Sequence, residues 1–108
     1  MSQYHLGEFE EVVLLTVAIL YGEAYGVAII DEMEKRLNRN VSIGALQTVL
    51  RRLEKKGLLT SAFGEATKIR GGKRKRYFTV TEYGQEVLDE TKEQRLALWN
   101  AIPEVALK

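Results

Sequence analysis

The sequence predicts a mainly α-helical fold with one small β-hairpin, and three observations support this fold class. Apolar residues recur at spacings of three and four in four separate stretches, which is the period of a helix. Between the third and fourth stretches lie two short segments with strand-like patterning, separated by a turn that contains two adjacent glycines. The length of 108 residues and the apolar content of 45% suit a single domain with a hydrophobic core.

The first helix is predicted to begin at Gly7 and to continue to about Tyr21. Its first turn carries Glu8, Glu10 and Glu11, where the helix dipole favours carboxylates. The apolar residues that follow nearly encircle the helix, so it needs cover on more than one side. Because a domain of this size provides little such cover, we expect part of it to come from a second subunit.

A second helix is predicted from about Ala24 to Leu37. Its apolar residues in helical phase are Val27, Ile30, Met33 or Glu34, and Leu37. Tyr25, at its N-terminal end, has two interpretations. It is either a packing residue or a phenol whose hydroxyl donates to a phosphate beside the positive end of the helix.

The third helix follows a polar turn at residues 38–40 and is predicted to be capped by Ser42, whose hydroxyl can accept a backbone N–H. Its apolar stripe comprises Leu46, Val49, Leu50 and Leu53, and its opposite face carries Gly44, Thr48, Arg51, Arg52 and Lys55. Gly57 is placed to end the helix in the left-handed conformation. Two helices joined by a short turn, the second with a cationic front, form the helix-turn-helix pattern. The alternative interpretation of that front is a solvated surface.

Residues 58–63 and 76–80 are predicted to form the two strands of the hairpin. In the second strand Phe78 and Val80 alternate with Tyr77 and Thr79, as in a half-buried strand. The intervening segment, residues 64–75, contains the glycine pair and a basic cluster. A hairpin directly after a helix-turn-helix is a wing, here with a cationic tip; the alternative is a solubilising loop.

The fourth helix is predicted to be capped by Thr81 and to end near Asn100, before Pro103. Its stripe extends beyond a three-helix core, so we expect it to pack, with the first helix, against a second copy of the chain. The predicted dimer interface consists of Phe9, Val12, Val13, Thr91, Arg95, Leu98, Trp99 and Ile102. Residues 1–80 and 81–108 are thus predicted to be a winged helix-turn-helix domain and a dimerisation helix within one compact unit.

The net charge of +1 conceals a segregation of charge along the chain. Residues 35–56 contain seven basic side chains and one acid, and residues 68–76 contain six basic side chains and no acid. The other residues are strongly acidic on balance. This distribution is expected if one face of the protein meets a polyanion.

Several classes of protein are disfavoured by the composition. The chain has no cysteine, so neither disulfides nor thiolate metal sites are expected. No signal peptide and no apolar run of about 18 residues is present, which favours a cytoplasmic protein outside the membrane. An enzyme is not expected, because His5 is the only histidine and no glycine-rich phosphate loop follows a strand. No cofactor or metal is predicted.

Four motifs follow one another along the chain: LGEFEEVVLL, AYGVAI, VSIGALQTVLRRLEKKGLL and GGKRKRYFTVTEYG. Together they closely resemble the PadR family of bacterial transcriptional regulators, over about residues 6–90. The resemblance implies a winged helix-turn-helix, a homodimer formed through the C-terminal and first helices, and repression of nearby promoters. The short, single C-terminal helix is similar to that of the compact branch of the family.

The resemblance also implies which residues contact DNA. The family's DNA-contacting positions correspond to Tyr25, to Ser42, Gly44, Ala45 and Thr48 of the third helix, and to Lys73, Arg74, Lys75 and Arg76 of the wing. The cationic face of the helix adds Arg51, Arg52 and Lys55. Gln47 stands where family members commonly have tyrosine, and it can bind either an adenine edge or a phosphate.

Trp99 is similarly placed to a tryptophan on the C-terminal helix of some compact family members, which meets its mate across the dimer and stacks on planar drugs. Trp99 is therefore expected either to fill the dimer contact or to line a hydrophobic effector pocket.

The predicted function is a sequence-specific transcriptional regulator, a repressor that binds a palindromic operator as a homodimer. The predicted partners are double-stranded DNA, a second copy of the chain and a hydrophobic or planar aromatic effector that releases the DNA. The alternative is a winged-helix protein–protein adaptor that does not bind DNA.

Overall fold

A computed structural model describes residues 5–64 and 74–107 of the chain. Its elements are α1 (Glu8–Ile19), α2 (Gly26–Leu37), α3 (Ile43–Lys55), β1 (Leu59–Phe63), β2 (Arg76–Val80), α4 (Glu82–Ala101) and a short 3-10 helix (Glu104–Leu107). Four helices and one two-stranded antiparallel hairpin confirm the predicted fold class.

The predicted helix ends have local causes that the structure confirms. The Ser42 hydroxyl accepts the backbone N–H of the third residue after it at 3.2 Å, and the Thr81 hydroxyl accepts the Gly84 N–H at 3.0 Å. Each bond satisfies an amide that a helix start otherwise leaves without a partner. Gly57 has a φ of +82°, the left-handed conformation that ends α3 and turns the chain into β1.

One hydrophobic core lies between α1, α2, α3 and the hairpin. Its buried side chains include Val13, Leu14, Val17, Ile29, Met33, Leu46, Val49, Leu50, Leu53, Leu58, Leu59, Phe78, Val87 and Leu88. The predicted apolar stripe of α3 is buried throughout, which confirms that part of the prediction.

The core-facing side of α2 differs from the prediction. Ile29 and Met33 are buried, whereas Val27 is 59% exposed and Leu37 is also exposed. The buried residues and the exposed residues both have helical spacing, so the sequence alone could not show which of them face the core. The contacts of α2 with α1 and α3 decide which set faces inward.

Part of α1 is covered within the chain and part is not. Val13 is completely buried in the core, so it lies inside the protomer and not on a surface that a second copy could contact. The prediction that placed Val13 at a dimer interface is corrected accordingly. Leu15 and Ile19, on another side of the same helix, remain exposed.

The hairpin is held to the helices at its base. β1 and β2 pair with Leu59 opposite Val80 and Phe63 opposite Arg76. The Phe78 N–H donates to the carbonyl of Ala24 at 2.8 Å, which joins β2 to the residues just before α2. The wing, defined as β1, β2 and residues 64–75 between them, is therefore fixed at its base beside the start of α2.

The start of α4 lies tightly against the end of α3. A Cβ added to Gly84 would be 2.3 Å from the carbonyl oxygen of Leu58, a distance that no side chain tolerates. Beyond Leu88, α4 has no buried side chain within the part that the structure describes, and the molecule measures 61 × 31 × 21 Å. Among the described residues, no helix combines the length and apolar character needed to span a bilayer.

Candidate nucleic-acid interface

The N-terminal half of α3 presents a surface of small and polar side chains. Ser42, Gly44, Ala45, Gln47 and Thr48 are all exposed, and a Cβ at Gly44 would meet nothing within 4 Å. The Thr48 hydroxyl donates to the Gly44 carbonyl at 3.0 Å, which leaves its oxygen available as an acceptor. No bulky group prevents this face from approaching another surface closely.

Two cations extend the same face toward the C-terminal end of α3. Arg51 and Lys55 are exposed, and within residues 5–64 and 74–107 neither makes an ion pair or a hydrogen bond. Their position on the outward face follows from helical spacing opposite the buried leucines. Both are therefore available to an external anion.

A groove separates α3 from the wing on one flank. It has a volume of about 740 Å³ and is lined mainly by α3, the wing and the start of α2. Its polar lining comprises Tyr25, Gln47, Arg51, Glu54, Arg74, Lys75 and Arg76, and we call it the wing groove. The wing groove places cations from both elements around one concave surface.

Tyr25 lies beneath the wing. Its ring is 5.6 Å from that of Tyr77 with an angle of 73° between the planes, and Lys75 Nζ lies 4.2 Å from its centroid. Edge-to-face rings and a cation over a ring are both stabilising arrangements. The ring thus packs, while the Tyr25 hydroxyl makes no hydrogen bond to any residue that the structure describes. It therefore remains able to donate to a phosphate.

Two arginines of the wing, Arg74 and Arg76, are held by their neighbours. Arg74 Nε donates to the Gly64 carbonyl at 2.9 Å, and the Arg74 and Arg76 guanidinium groups lie 5.5 and 5.0 Å from the Phe63 ring. This ordering reduces the rotamer entropy that each side chain has left to lose on binding a ligand. Lys73, the remaining basic residue predicted for the wing, lies outside the described residues.

A three-residue contact joins the wing to α3. The Ser61 hydroxyl donates to Glu54 Oε2 at 2.6 Å and accepts from Arg76 Nε at 2.8 Å, while Arg76 Nη2 lies 3.9 Å from Glu54 Oε1. The contact fixes the direction in which Arg76 leaves the strand. Neither Ser61 nor Glu54 was predicted as a site residue from the sequence, because their pairing depends on how the strand returns past the helix.

The other flank of α3 faces α1 and is occupied by an acid. Arg52 Nη1 and Lys56 Nζ each lie 3.7 Å from Glu10 Oε2, and the Glu10 side chain is only 11% exposed. Arg52 was predicted to face DNA. In the structure its side chain is about half exposed and shares the single Glu10 carboxylate with Lys56.

The two other acids in the first turn of α1 also bind arginines. Glu8 forms a two-oxygen contact with Arg39 Nη1 at 2.9 and 3.0 Å, and this hydrogen bond lowers the pKa of Glu8 and raises that of Arg39. Glu11 binds Arg95 of α4 at 2.7 Å, which raises the pKa of Arg95. Arg39 and Arg95 therefore point toward α1.

The residues predicted for a dimer interface divide into covered and exposed ones. Phe9 is half-buried with Arg39 over its ring at 5.1 Å, and the Thr91 hydroxyl donates within α4 to Val87. Val12 and Ile102 are half-buried. Leu98 and Trp99 are 71% and 62% exposed, and the Arg95 side chain is exposed as well.

No metal-binding cluster accompanies these surfaces in the part of the chain that the structure describes. No group of three or more His, Cys, Asp or Glu side chains there could hold a metal ion. His5 is exposed at the beginning of the described chain. The chemistry on the surface is that of hydrogen-bond donors, acceptors and cations.

Comparison with known proteins identifies similar sequences and structures. The model of the transcriptional regulator PadR-like family matches residues 14–90. A PadR-like transcription factor from Bacteroides fragilis is 28% identical with a TM-score of 0.71, and the alignment covers 85% of this chain and 84% of that one. A PadR family regulator from Eggerthella lenta is 27% identical with a TM-score of 0.68, covering 86% and 80%. One from Clostridium difficile is 26% identical with a TM-score of 0.67, covering 82% and 91%. No curated protein matches the chain.

Proposed function

The chain belongs to the PadR-like family of transcriptional regulators, and from that premise we propose that it represses transcription by binding a palindromic operator as a homodimer. The observation that carries this proposal is the exposed face of α3, which is free of bulky side chains and continuous with the cationic wing groove. A helix with this surface suits the major groove, where base edges are read.

The residues have different roles in this proposal. Gln47 and Thr48 read base edges, while Arg51 and Lys55 bind phosphates that flank them. The Tyr25 hydroxyl and the wing cations Arg74, Lys75 and Arg76, together with Lys73, contact the backbone beside the wing groove. Phosphate contacts provide affinity for any sequence, and base contacts provide the preference for one.

The proposed homodimer is supported by apolar surface that is exposed in the single chain. Leu98 and Trp99 of α4 are exposed, and so are Leu15 and Ile19 of α1. A two-fold axis through these helices would place the two α3 helices in successive major grooves, about 34 Å apart. The operator would then be a palindrome whose half-sites are one helical turn apart.

Trp99 also supports a role for an effector. An exposed indole in the dimer contact, facing its symmetry mate, provides a flat apolar surface on which a planar aromatic molecule can stack. A bound planar cation is expected to quench Trp99 fluorescence and to release the operator. Trp99→Ala removes the only tryptophan and with it the fluorescence signal. The variant is therefore tested by whether the effector still releases DNA from it.

Selection of binding sites from random duplex DNA is the experiment that tests the function. We expect enrichment of a palindrome, and Gln47→Ala is expected to change the enriched base within each half-site. Arg51→Gln is expected to weaken binding to all duplexes and to reduce the slope of log K against log salt by about 1. Lys92→Gln is the matched control, because this exposed lysine of α4 lies far from α3 and its loss changes the net charge equally.

The outcomes separate the proposal from its alternative. Loss of binding in the quadruple alanine variant of residues 73–76, with Lys92→Gln unchanged, supports a wing that contacts the DNA backbone. A protein that enriches no sequence and ignores duplex DNA at low salt would overturn the proposal in favour of a winged-helix protein adaptor.

A further inference from the structure

The two flanks of α3 are different, and the difference concerns its positive charge. On the flank toward the wing, the groove is open to solvent and lined by cations. On the flank toward α1, Arg52 and Lys56 both face Glu10 Oε2 at 3.7 Å. One carboxylate thus lies beside two of the four cations of residues 51–56, at the C-terminal end of α3.

Glu10 is fixed in place by the protein rather than by these cations. Its Oε1 atom accepts the backbone N–H of Gly7 at 2.9 Å, which orients the carboxylate at the start of α1. The side chain is almost completely buried, while those of Arg52 and Lys56 are 49% and 39% exposed. The carboxylate therefore cannot move away with the cations when another anion approaches them.

We infer that Glu10 keeps Arg52 and Lys56 from binding DNA phosphates and so limits the affinity of the protein for DNA of any sequence. The inference rests on the proposed function. Non-specific affinity rises with every additional phosphate that a protein neutralises, whereas contacts to base edges do not depend on those charges. A buried acid beside the reading helix thus lowers the affinity for any duplex and leaves the preference for one sequence to the base contacts.

The substitution Glu10→Gln isolates this effect. A glutamine has nearly the same shape, and its side-chain oxygen can still accept the Gly7 N–H, so the start of α1 keeps its cap. Only the negative charge beside Arg52 and Lys56 is lost. Glu93→Gln is the matched control, since Glu93 is exposed on the distal half of α4 and makes no ion pair with any described residue.

The measurement is the affinity of the full chain for the selected operator and for a random-sequence duplex, each over a series of salt concentrations. Glu10→Gln is expected to strengthen binding to the random duplex and to steepen its salt slope by about 1 to 2, the value for one or two added phosphate contacts. Binding to the operator should rise by a similar factor, so the ratio of the two affinities stays close to its wild-type value. Glu93→Gln should change neither slope.

A second variant tests the cause. Adding Arg52→Gln and Lys56→Gln to Glu10→Gln should return the slope for the random duplex to the wild-type value or below it. An unchanged salt slope in Glu10→Gln would overturn the inference. Equal losses of affinity for both duplexes, together with a lowered melting temperature, would also overturn it, because they would show that Glu10 supports the fold. Wild-type protein that binds neither duplex would instead defeat the proposed function itself.

Discussion

The winged part of the chain and the distal half of α4 use apolar residues in opposite ways. In the winged part, leucines such as Leu46 and Leu53 are fully buried by neighbouring elements. From residue 89 to residue 107, no described side chain is buried, although Leu96, Leu98 and Trp99 are large and apolar. The contrast is that the winged part buries its large apolar side chains, whereas the distal half of α4 leaves its own exposed, as the proposed homodimer requires.

Matched leucine substitutions give the largest expected difference between the two regions. Leu53→Ala removes a fully buried side chain and is expected to lower the free energy of unfolding by about 2–5 kcal/mol, since a cavity remains in the core. Leu98→Ala should leave the unfolding of the monomer nearly unchanged. Urea denaturation at a protein concentration low enough to populate monomers provides the comparison. Equal losses in the two variants would contradict the division into two regions.

Gly84 lies at the junction of the two regions and provides a second test. Gly84→Ala places a Cβ against the Leu58 carbonyl and is expected to destabilise the fold by about 1–3 kcal/mol, because a backbone must move. Gly44→Ala is the matched control on α3. Its Cβ enters open space, so the helix should gain up to about 1 kcal/mol from the lost flexibility of glycine. Thermal unfolding of the two variants should therefore shift in opposite directions.

Self-association tests whether the distal half of α4 forms the contact between two copies. Leu98→Ala and Trp99→Ala are each expected to weaken dimerisation about tenfold or more, which corresponds to about 1.4 kcal/mol. Sedimentation equilibrium measures the change, and Lys92→Ala serves as a polar control on the same helix. If the two apolar variants associate as tightly as Lys92→Ala, this half of α4 is not the contact between copies.

The smallest expected effect concerns the exposed ion pair between Glu8 and Arg39. Because the pair lowers the pKa of Glu8 from its usual value of 4.5, it contributes stability above that pH and loses it as the pH falls through the lowered pKa. Glu8→Gln should therefore melt slightly below the wild type at pH 7, and the difference should vanish as the pH falls through the lowered pKa of Glu8. Arg39→Gln should reproduce this pattern. A difference that persists in acid would assign the effect to something other than the pair.

The sequence was sufficient wherever the cause of structure is local. The caps at Ser42 and Thr81, the left-handed Gly57 and the buried stripe of α3 all depend on residues within one or two turns. Strand β2 was predicted from its alternation alone. The core-facing residues of α2 were predicted only in part: Met33 is buried and Ile30 packs against the core, whereas Val27 and Leu37 are exposed. Several apolar residues on that helix have helical spacing, and only packing against its neighbours decides which of them face inward.

The ion-pair partners of the basic residues could not be predicted from the sequence. Segregation of basic residues along the chain predicted a cationic face, and Arg51 and Lys55 are available on the exposed side of α3. Yet Arg39, Arg52 and Arg95 are matched by acids of α1 that lie far away in the sequence. Three glutamates in one turn were explained by the helix dipole, and their pairing with three other elements required the folded structure.

The closed base of the hairpin has a consequence for how much its outer part can vary. The Gly64 N–H donates to the Lys75 carbonyl at 2.7 Å, so both ends of the connecting segment are already held side by side. Once ends are joined, each doubling of a flexible loop costs only about 0.6 kcal/mol of closure entropy. Insertions and deletions between those two residues are therefore expected to change the free energy of folding little. Related chains could acquire longer or shorter connections there, and with them a different reach along DNA, without rebuilding the helices beneath.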